Sequence, residues 1–192
     1  MPQPDHVVKV ELPPEETLDP DIVKYFGKCV DKLGLVPNVL RAYTGNPAKF
    51  RTFSAFYNQL MLDEETCALS KLEREMIAVV VSSANRCYYC LVAHGQAVRE
   101  LSGDPELGEM MVMNYRVADL EPRHRAMLDF AWTLTLSPHD VGEADRQRLR
   151  DVGFSDADIF DICDTAAFFN YTNRMAHGLE MMPNRDYHAM DR

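Results

Sequence analysis

Ser70-Lys71-Leu72-Glu73 stands directly ahead of the apolar run Met76-Ile77-Ala78-Val79-Val80-Val81. A Ser followed three residues later by Glu is a capping box: the hydroxyl and the carboxylate each satisfy a backbone N–H that the first turn of a helix leaves free. That cap decides the fate of a β-branched run that propensity alone would allow to be a strand. We read it as helix, because the cap precedes it and no segment of the chain shows the alternation expected of a strand partner. Its apolar company marks this helix as largely buried.

The same punctuation recurs along the chain. Asp19-Pro20 opens a helix that Gly34 stops, and Asn46-Pro47 opens a second that runs to about Leu62. Asn85-Arg86 interrupts the pattern, and a new helix carries Cys87 to Glu100 and ends at Ser102-Gly103. Asp104-Pro105 starts the next, Pro122 opens a segment through Leu136, a shorter helix spans about Glu143 to Val152, and Ser155 caps a last one ending near Gly178. The expectation is an all-α fold of about eight helices in a single domain, residues 19–192, preceded by an extended arm over residues 1–18 that packs against another surface.

Length and charge narrow the function. A chain of 192 residues buries enough core to need no disulfide or metal for folding, so stability does not account for its cysteines. A formal charge of −10, with basic residues scattered, excludes a phosphate-tracking surface, and nucleic acid is not an expected partner. No apolar run has the length of a membrane span, so no membrane role is expected. The amino terminus shows no basic region followed by an apolar stretch, and the expected location is cytoplasmic, where thiols are kept reduced.

Of the five cysteines, Cys29, Cys67 and Cys163 read as small core hydrophobes. Cys87 and Cys90 do not. At about 100° per residue, Cys87, Cys90 and His94 fall within an arc of about 60° on one helix face. Cys87 stands at the helix amino terminus, where free N–H groups favour a thiolate, and His94 lies one turn beyond Cys90, in place to take its proton. Glu75 on the preceding helix is the nearest acidic residue that could orient that imidazole, unless it pairs with Lys71 one turn back. Other uses of the sulfurs stay open on spacing alone. A closed zinc site lacks a fourth ligand, a catalytic zinc would leave that place to water, two inert core thiols need no partner, and a thioredoxin-like motif needs strands that the chain lacks. On the last helix, Asn170, Asn173 and Arg174 could line a cavity facing the cysteines but read as packing. His124, His139, His177 and His188 have no companions at metal spacing.

Glu75, then Cys87-x-x-Cys90 twelve residues later, then His94 four residues on, resembles the carboxymuconolactone decarboxylase superfamily in its alkyl hydroperoxidase D-like, peroxidase-related branch. The likeness extends from about Leu35 to Gly178 and includes Leu134-Thr135-Leu136-Ser137-Pro138 and Phe168 to Arg174. It implies an all-α fold, homo-oligomers (trimers or hexamers), and thiol-dependent hydroperoxide reduction without metal, haem or other cofactor. Tyr89 departs from the pattern, in that alkyl hydroperoxidase D can carry histidine there. The catalytic set is then Cys90, Cys87, His94 and Glu75, with a hydroperoxide as substrate, a Cys87–Cys90 disulfide as intermediate, and an external dithiol or protein as reductant. A disulfide relay or sensor with a protein partner, and a lactone enzyme using His94 and Glu75 as acid and base, are the alternatives.

Two effects divide the labour between the sulfurs. The helix dipole, worth roughly 0.3–1 kcal/mol at an exposed site, favours a thiolate on Cys87, whereas a base that removes the proton on demand serves Cys90. The expected attacking thiol is Cys90 and the resolving one Cys87, which the resemblance also implies.

Overall fold

The structure, a computed structural model, describes residues 3–192; the first two residues of the expected arm lie outside the described ones. Among the described residues there is no strand, and nine α-helices follow one another: α1 (Pro20–Leu33), α2 (Asn38–Ala42), α3 (Pro47–Tyr57), α4 (Lys71–Ala84), α5 (Tyr88–Ser102), α6 (Pro105–Asn114), α7 (Pro122–Leu136), α8 (Glu143–Asp151) and α9 (Asp156–Gly178). The punctuation places most boundaries well. Gly34 adopts the left-handed conformation that ends α1, and Gly103 does the same for α5. The helix beyond the expected count is α2, five residues behind Pro37 with no side-chain cap, too short to leave a periodic pattern. The segment from Asn46 to Leu62 is not one regular helix either. After Tyr57 it widens into a π-helical turn over Asn58–Leu62, closed by Asp63 N–H donating to the Asn58 carbonyl at 3.0 Å.

Helix α4 is the axle of the molecule. It packs against α5, α6, α7 and α9, and every residue from Glu73 to Ser82 is buried. The capping box forms as expected, with Glu73 N–H donating to Ser70 Oγ at 3.1 Å and Ser70 N–H to Glu73 Oε2 at 2.9 Å. Polar groups in such a helix must find partners inside the protein. Glu73 also accepts from Arg123 Nε at 3.0 Å, and Arg74 donates through Nη1 to the carbonyls of Leu60 and Asp63 at 3.1 and 2.7 Å, tying the π-helical turn to the axle.

Residues 3–12 run along the chain that leaves α9, bending at residues 5, 7, 9 and 10. Met182 N–H donates to the Val7 carbonyl at 3.0 Å and Lys9 N–H to the Leu179 carbonyl at 2.9 Å, which brackets Val8 and turns it inward. The tail beyond α9 is fixed in turn by buried Arg99 of α5, whose guanidinium donates to the carbonyls of Tyr187 and Met190. No helix among the described residues is long and apolar enough to cross a membrane. Phe160, Phe168 and Phe169 give the last helix an apolar character that suggests surface left over for another copy, but Phe168 and Phe169 are core residues and of the three only Phe160, 68% exposed, faces outward. At helical spacing the two adjacent phenylalanines cover neighbouring faces, and both of those are occupied by the aromatic cluster of α3 and by α5.

Replacing Ser70 with Ala removes one arm of the box and is expected to cost about 1 kcal/mol, a drop of about 2–4 °C in Tm for a chain of this length, with Ser70→Asp recovering most of it. Thermal unfolding followed by circular dichroism measures both; an unchanged Tm in Ser70→Ala would show the cap to be idle.

Candidate active site

The turn between α4 and α5 places the first cysteine. After Ala84 the chain passes through Arg86 at φ 55°, and two backbone bonds close a Schellman motif: Arg86 N–H to the Ser83 carbonyl at 3.1 Å and Cys87 N–H to the Ser82 carbonyl at 2.9 Å. Cys87 therefore ends α4 and caps α5 at once. Its sulfur is held where two helix termini meet. The far end of α9 repeats the device with Glu180 at φ 49°, where Met181 N–H reaches the Ala176 carbonyl at 2.9 Å. Met181, Ala176 and Val8 then pack around Cys87, Tyr89 and Cys90. Tyr89 is buried beside them, its hydroxyl accepting from Val39 N–H at 3.0 Å.

Both site cysteines are buried, 1% and 3% exposed, and their sulfurs share a hydrogen bond of 3.1 Å. One proton between two close sulfurs drives their titrations apart. The hydrogen bond shared with Cys90 brings Cys87 down to about 7 against the opposing effect of burial, and the free N–H of Cys90 and the rings of His177 and His94 assist without closing a regular cap. Cys90 is pushed well above the ordinary thiol value, first by that same hydrogen bond and then by burial, while Asn173 and Ser82 pull it back. Of the two sulfurs, Cys87 is the more readily ionised.

Across from the sulfurs, His94 Nδ1 meets Glu75 Oε2 at 2.7 Å. A carboxylate only accepts, so Nδ1 donates and Nε2 is left with its lone pair. Lys71 pairs with Glu64 instead, at 2.7 Å, and takes no part in the site. The edge of Phe169 and the His94 ring pack at right angles with centroids 4.7 Å apart, fixing the plane of the imidazole. Cys90 and His94 both line a cavity of about 30 Å³ walled by Val39, Phe53, Tyr57 and Phe168; Cys87 does not reach it. That is room for about one water-sized group. Among the described residues no set of three or more His, Cys, Asp or Glu side chains is arranged to hold a metal ion.

The four residues expected from the sequence thus meet at one place, joined there by Asn173, which the sequence reads as packing, and by Ser82, which it does not single out. Ser82 and Asn173 are fully buried beside Cys90, joined by a 3.0 Å hydrogen bond, and Asn85 donates to the Asn173 oxygen at 2.9 Å. His177 Nε2 donates to the Asn85 carbonyl at 3.0 Å, which brings its ring to the turn that holds Cys87. One signal was available: Ser82 lies seven residues after Glu75, hence on the same face of α4. Asn170 and Arg174 bond to each other and do not line the cavity, with Asn170 also accepting from Asn85 at 3.0 Å.

Comparison with known proteins falls on the same residues. The profile of the carboxymuconolactone decarboxylase family matches residues 47–131, a stretch that contains Glu75, both cysteines and His94. An uncharacterized peroxidase-related protein from Silicibacter sp. is 56% identical over 100% of both chains, with a TM-score of 0.95. A second uncharacterized peroxidase-related protein, described as an alkylhydroperoxidase AhpD core, from Ralstonia eutropha, is 41% identical over 98% of both chains, with a TM-score of 0.93. The debrominase Bmp8, 18% identical over 97% of this chain and 96% of its own at a TM-score of 0.78, shares the fold. No functionally curated protein matches the chain.

The ionisation order is open to measurement. Thiolate absorbance at 240 nm is expected to rise with a midpoint near pH 7 for the reduced protein, and to lose that step in Cys87→Ala. In Cys90→Ala the hydrogen bond between the sulfurs is gone and the Cys87 midpoint should climb toward the ordinary thiol value of about 8.5. Because its pKa is depressed, ionised Cys87 stabilises the fold above that ordinary value, and the contribution is lost as the pH falls through 7. A midpoint that stays put in Cys90→Ala would remove the shared proton from the account.

Proposed function

The chain belongs to the carboxymuconolactone decarboxylase family, beside alkyl hydroperoxidase D-like, peroxidase-related proteins, and on that footing we propose that it reduces hydroperoxides with Cys90 as attacking thiol, Cys87 as resolving thiol and His94–Glu75 as proton relay. The observation that carries the reading is a division of the two sulfurs: Cys90 faces the cavity together with His94, while Cys87 stands behind it at 3.1 Å.

The ionisation order fits this division. Cys90 waits as a neutral thiol and gives its proton to His94 Nε2 when a peroxide occupies the cavity, Glu75 steadying the imidazolium. The Cys90 sulfur attacks the outer oxygen of R–O–OH, the O–O bond breaks, and the alkoxide leaves with the proton from His94 as ROH. Cys90 is oxidised to the sulfenic acid and the peroxide is reduced to the alcohol. Cys87, already a thiolate, then attacks the Cys90 sulfur, and hydroxide leaves and is protonated to water. The sulfurs need to close by about 1 Å to reach disulfide length. An external dithiol returns both cysteines to thiols by two exchange steps and leaves as its own disulfide. A relay with a protein partner would use the same pair but needs one sulfur within a partner's reach, and the burial of both favours a small oxidant. Turnover in a thiol-dependent peroxidase assay with dihydrolipoamide tests the reading. Cys87→Ser should hold a sulfenic acid on Cys90, trapped by dimedone after one equivalent of peroxide, and Glu75→Gln should lower turnover by about 100-fold or more. Labelling confined to Cys87 in Cys90→Ser would reverse the roles, and no peroxide consumption at all would end the proposal.

We further propose that the protein self-associates, on the strength of Phe160 and Tyr171, which leave α9 with exposed aromatic surface. Light scattering coupled to size exclusion should give a multiple of 21.9 kDa at micromolar concentration; a monomer mass would refute it.

A further inference from the structure

Ser82 and Asn173 are the two polar side chains beside Cys90 that the relay does not use. Each is fully buried, Ser82 two turns beyond Glu75 on α4 and Asn173 one turn beyond Phe169 on α9. Phe169 packs on the His94 ring and Ala176 packs on the cysteines, so Asn173, between them on the same face of α9, is aimed at the sulfur pair. A buried amide and a buried hydroxyl are expensive to keep among apolar neighbours unless each donor finds an acceptor.

A count of their hydrogens points to the missing acceptor. Asn85 Nδ2 donates to Asn173 Oδ1 at 2.9 Å, which fixes which end of the Asn173 amide is nitrogen. One N–H of that nitrogen goes to Ser82 Oγ at 3.0 Å and the other remains. Ser82 Oγ, occupied as an acceptor, keeps its own hydrogen, for which no described oxygen or nitrogen serves as partner. Two donors are therefore left over at the Cys90 sulfur.

We infer that Asn173 and Ser82 form a two-donor cradle for the charge on the Cys90 sulfur, with Asn85 as the residue that positions the amide. The inference rests on the reading of Cys90 as the attacking thiol. The cradle is satisfied in full only when Cys90 carries negative charge, as a thiolate before attack and as a sulfenate after it. It lowers the cost of ionising a thiol that burial and its neighbour Cys87 otherwise keep neutral, and the downward pull of both residues on Cys90 agrees with it. The other titratable groups facing Cys90 are Cys87 and His94 on α5 with Glu75 behind the latter, Tyr89 beside it, Tyr57 across the cavity and His177 on α9. Ser82→Ala alters none of these.

The test reads the sulfur directly, without peroxide. In a Cys87→Ser background the main cause that raises Cys90 is removed, and the 240 nm absorbance difference against Cys87→Ser/Cys90→Ser isolates its thiolate. Adding Ser82→Ala or Asn173→Leu should move that midpoint up by about one pH unit each, the strength of a hydrogen bond to a charged group, and Ser82→Thr should restore it. Ser82→Ala changes one atom in a helix interior and keeps the test alive if Asn173→Leu fails to fold. A midpoint unmoved by Ser82→Ala in folded protein, or one that Thr does not restore, overturns the cradle and leaves Asn173–Ser82 as a tie between α4 and α9. A shifted midpoint in a protein without peroxidase activity would sink the peroxidase reading and leave the cradle standing.

Discussion

A helix with no face to solvent cannot leave any polar group to water, and α4 is such a helix. Its buried charged and hydroxyl side chains are few, and each finds a partner on a different neighbour, although Arg74 Nε is left without one. Glu73 is met by Arg123 of α7, Arg74 by the carbonyls of the π-helical turn, Glu75 by His94 of α5, and Ser82 by Asn173 of α9. Burial of the apolar residues supplies the bulk of the stabilisation, but it is not directional. The polar pairs are what fix how the surrounding helices rotate about the axle. Two of those four pairs, Glu75–His94 and Ser82–Asn173, are also the flanks of the sulfur site. Core and site are therefore one construction.

The second constraint is the turn. Because Cys87 closes the Schellman motif of α4 and caps α5, its position depends on backbone hydrogen bonds rather than on a rotamer choice. Arg86 accepts a left-handed conformation that a glycine would adopt more readily. Three residues later Cys90 lies one turn further on and deeper in the core. The same short segment thus sets two environments for two identical side chains: Cys87 among free helix N–H groups and the His177 ring, Cys90 against the aromatic cavity. Such differences, not the spacing itself, separate the more readily ionised sulfur from the waiting thiol.

Much of this was legible in the sequence because helix ends are written in local chemistry. The box at Ser70, the Pro residues at the starts of α1, α3, α6 and α7, and the glycines after α1 and α5 each act within a few residues. The face shared by Cys87, Cys90 and His94 followed from periodicity, and Glu75 from proximity along the chain. What could not be read were features set by distant parts. Asn173 lies 91 residues from Ser82 and His177 lies 92 from Asn85, so neither pair leaves a local trace. The ends of α4 and α9 fall where Asn85-Arg86 and Gly178 mark them, but which residue turns left-handed there was hidden, since it is Arg86 and Glu180 rather than a glycine. The apolar character of Phe168 and Phe169 was plain, but their direction was not, since neighbouring residues on a helix face ways that only packing decides.

The arm over the site has a consequence that concerns registry rather than composition. Val7 and Lys9 are tied by their backbones to Met182 and Leu179, and the side chain between them, Val8, is the one that touches the cysteines. Sliding the segment by one residue would change which side chain is turned inward between those two bonds. Loss or gain of one amino acid between Lys9 and α1, taken up by the arm, would set either Val7 or Lys9 above the sulfurs. The first exchange is nearly silent; the second brings an ammonium group against a thiolate. Length variation in this short segment would thus act as an electrostatic substitution at the site, although no site residue had changed.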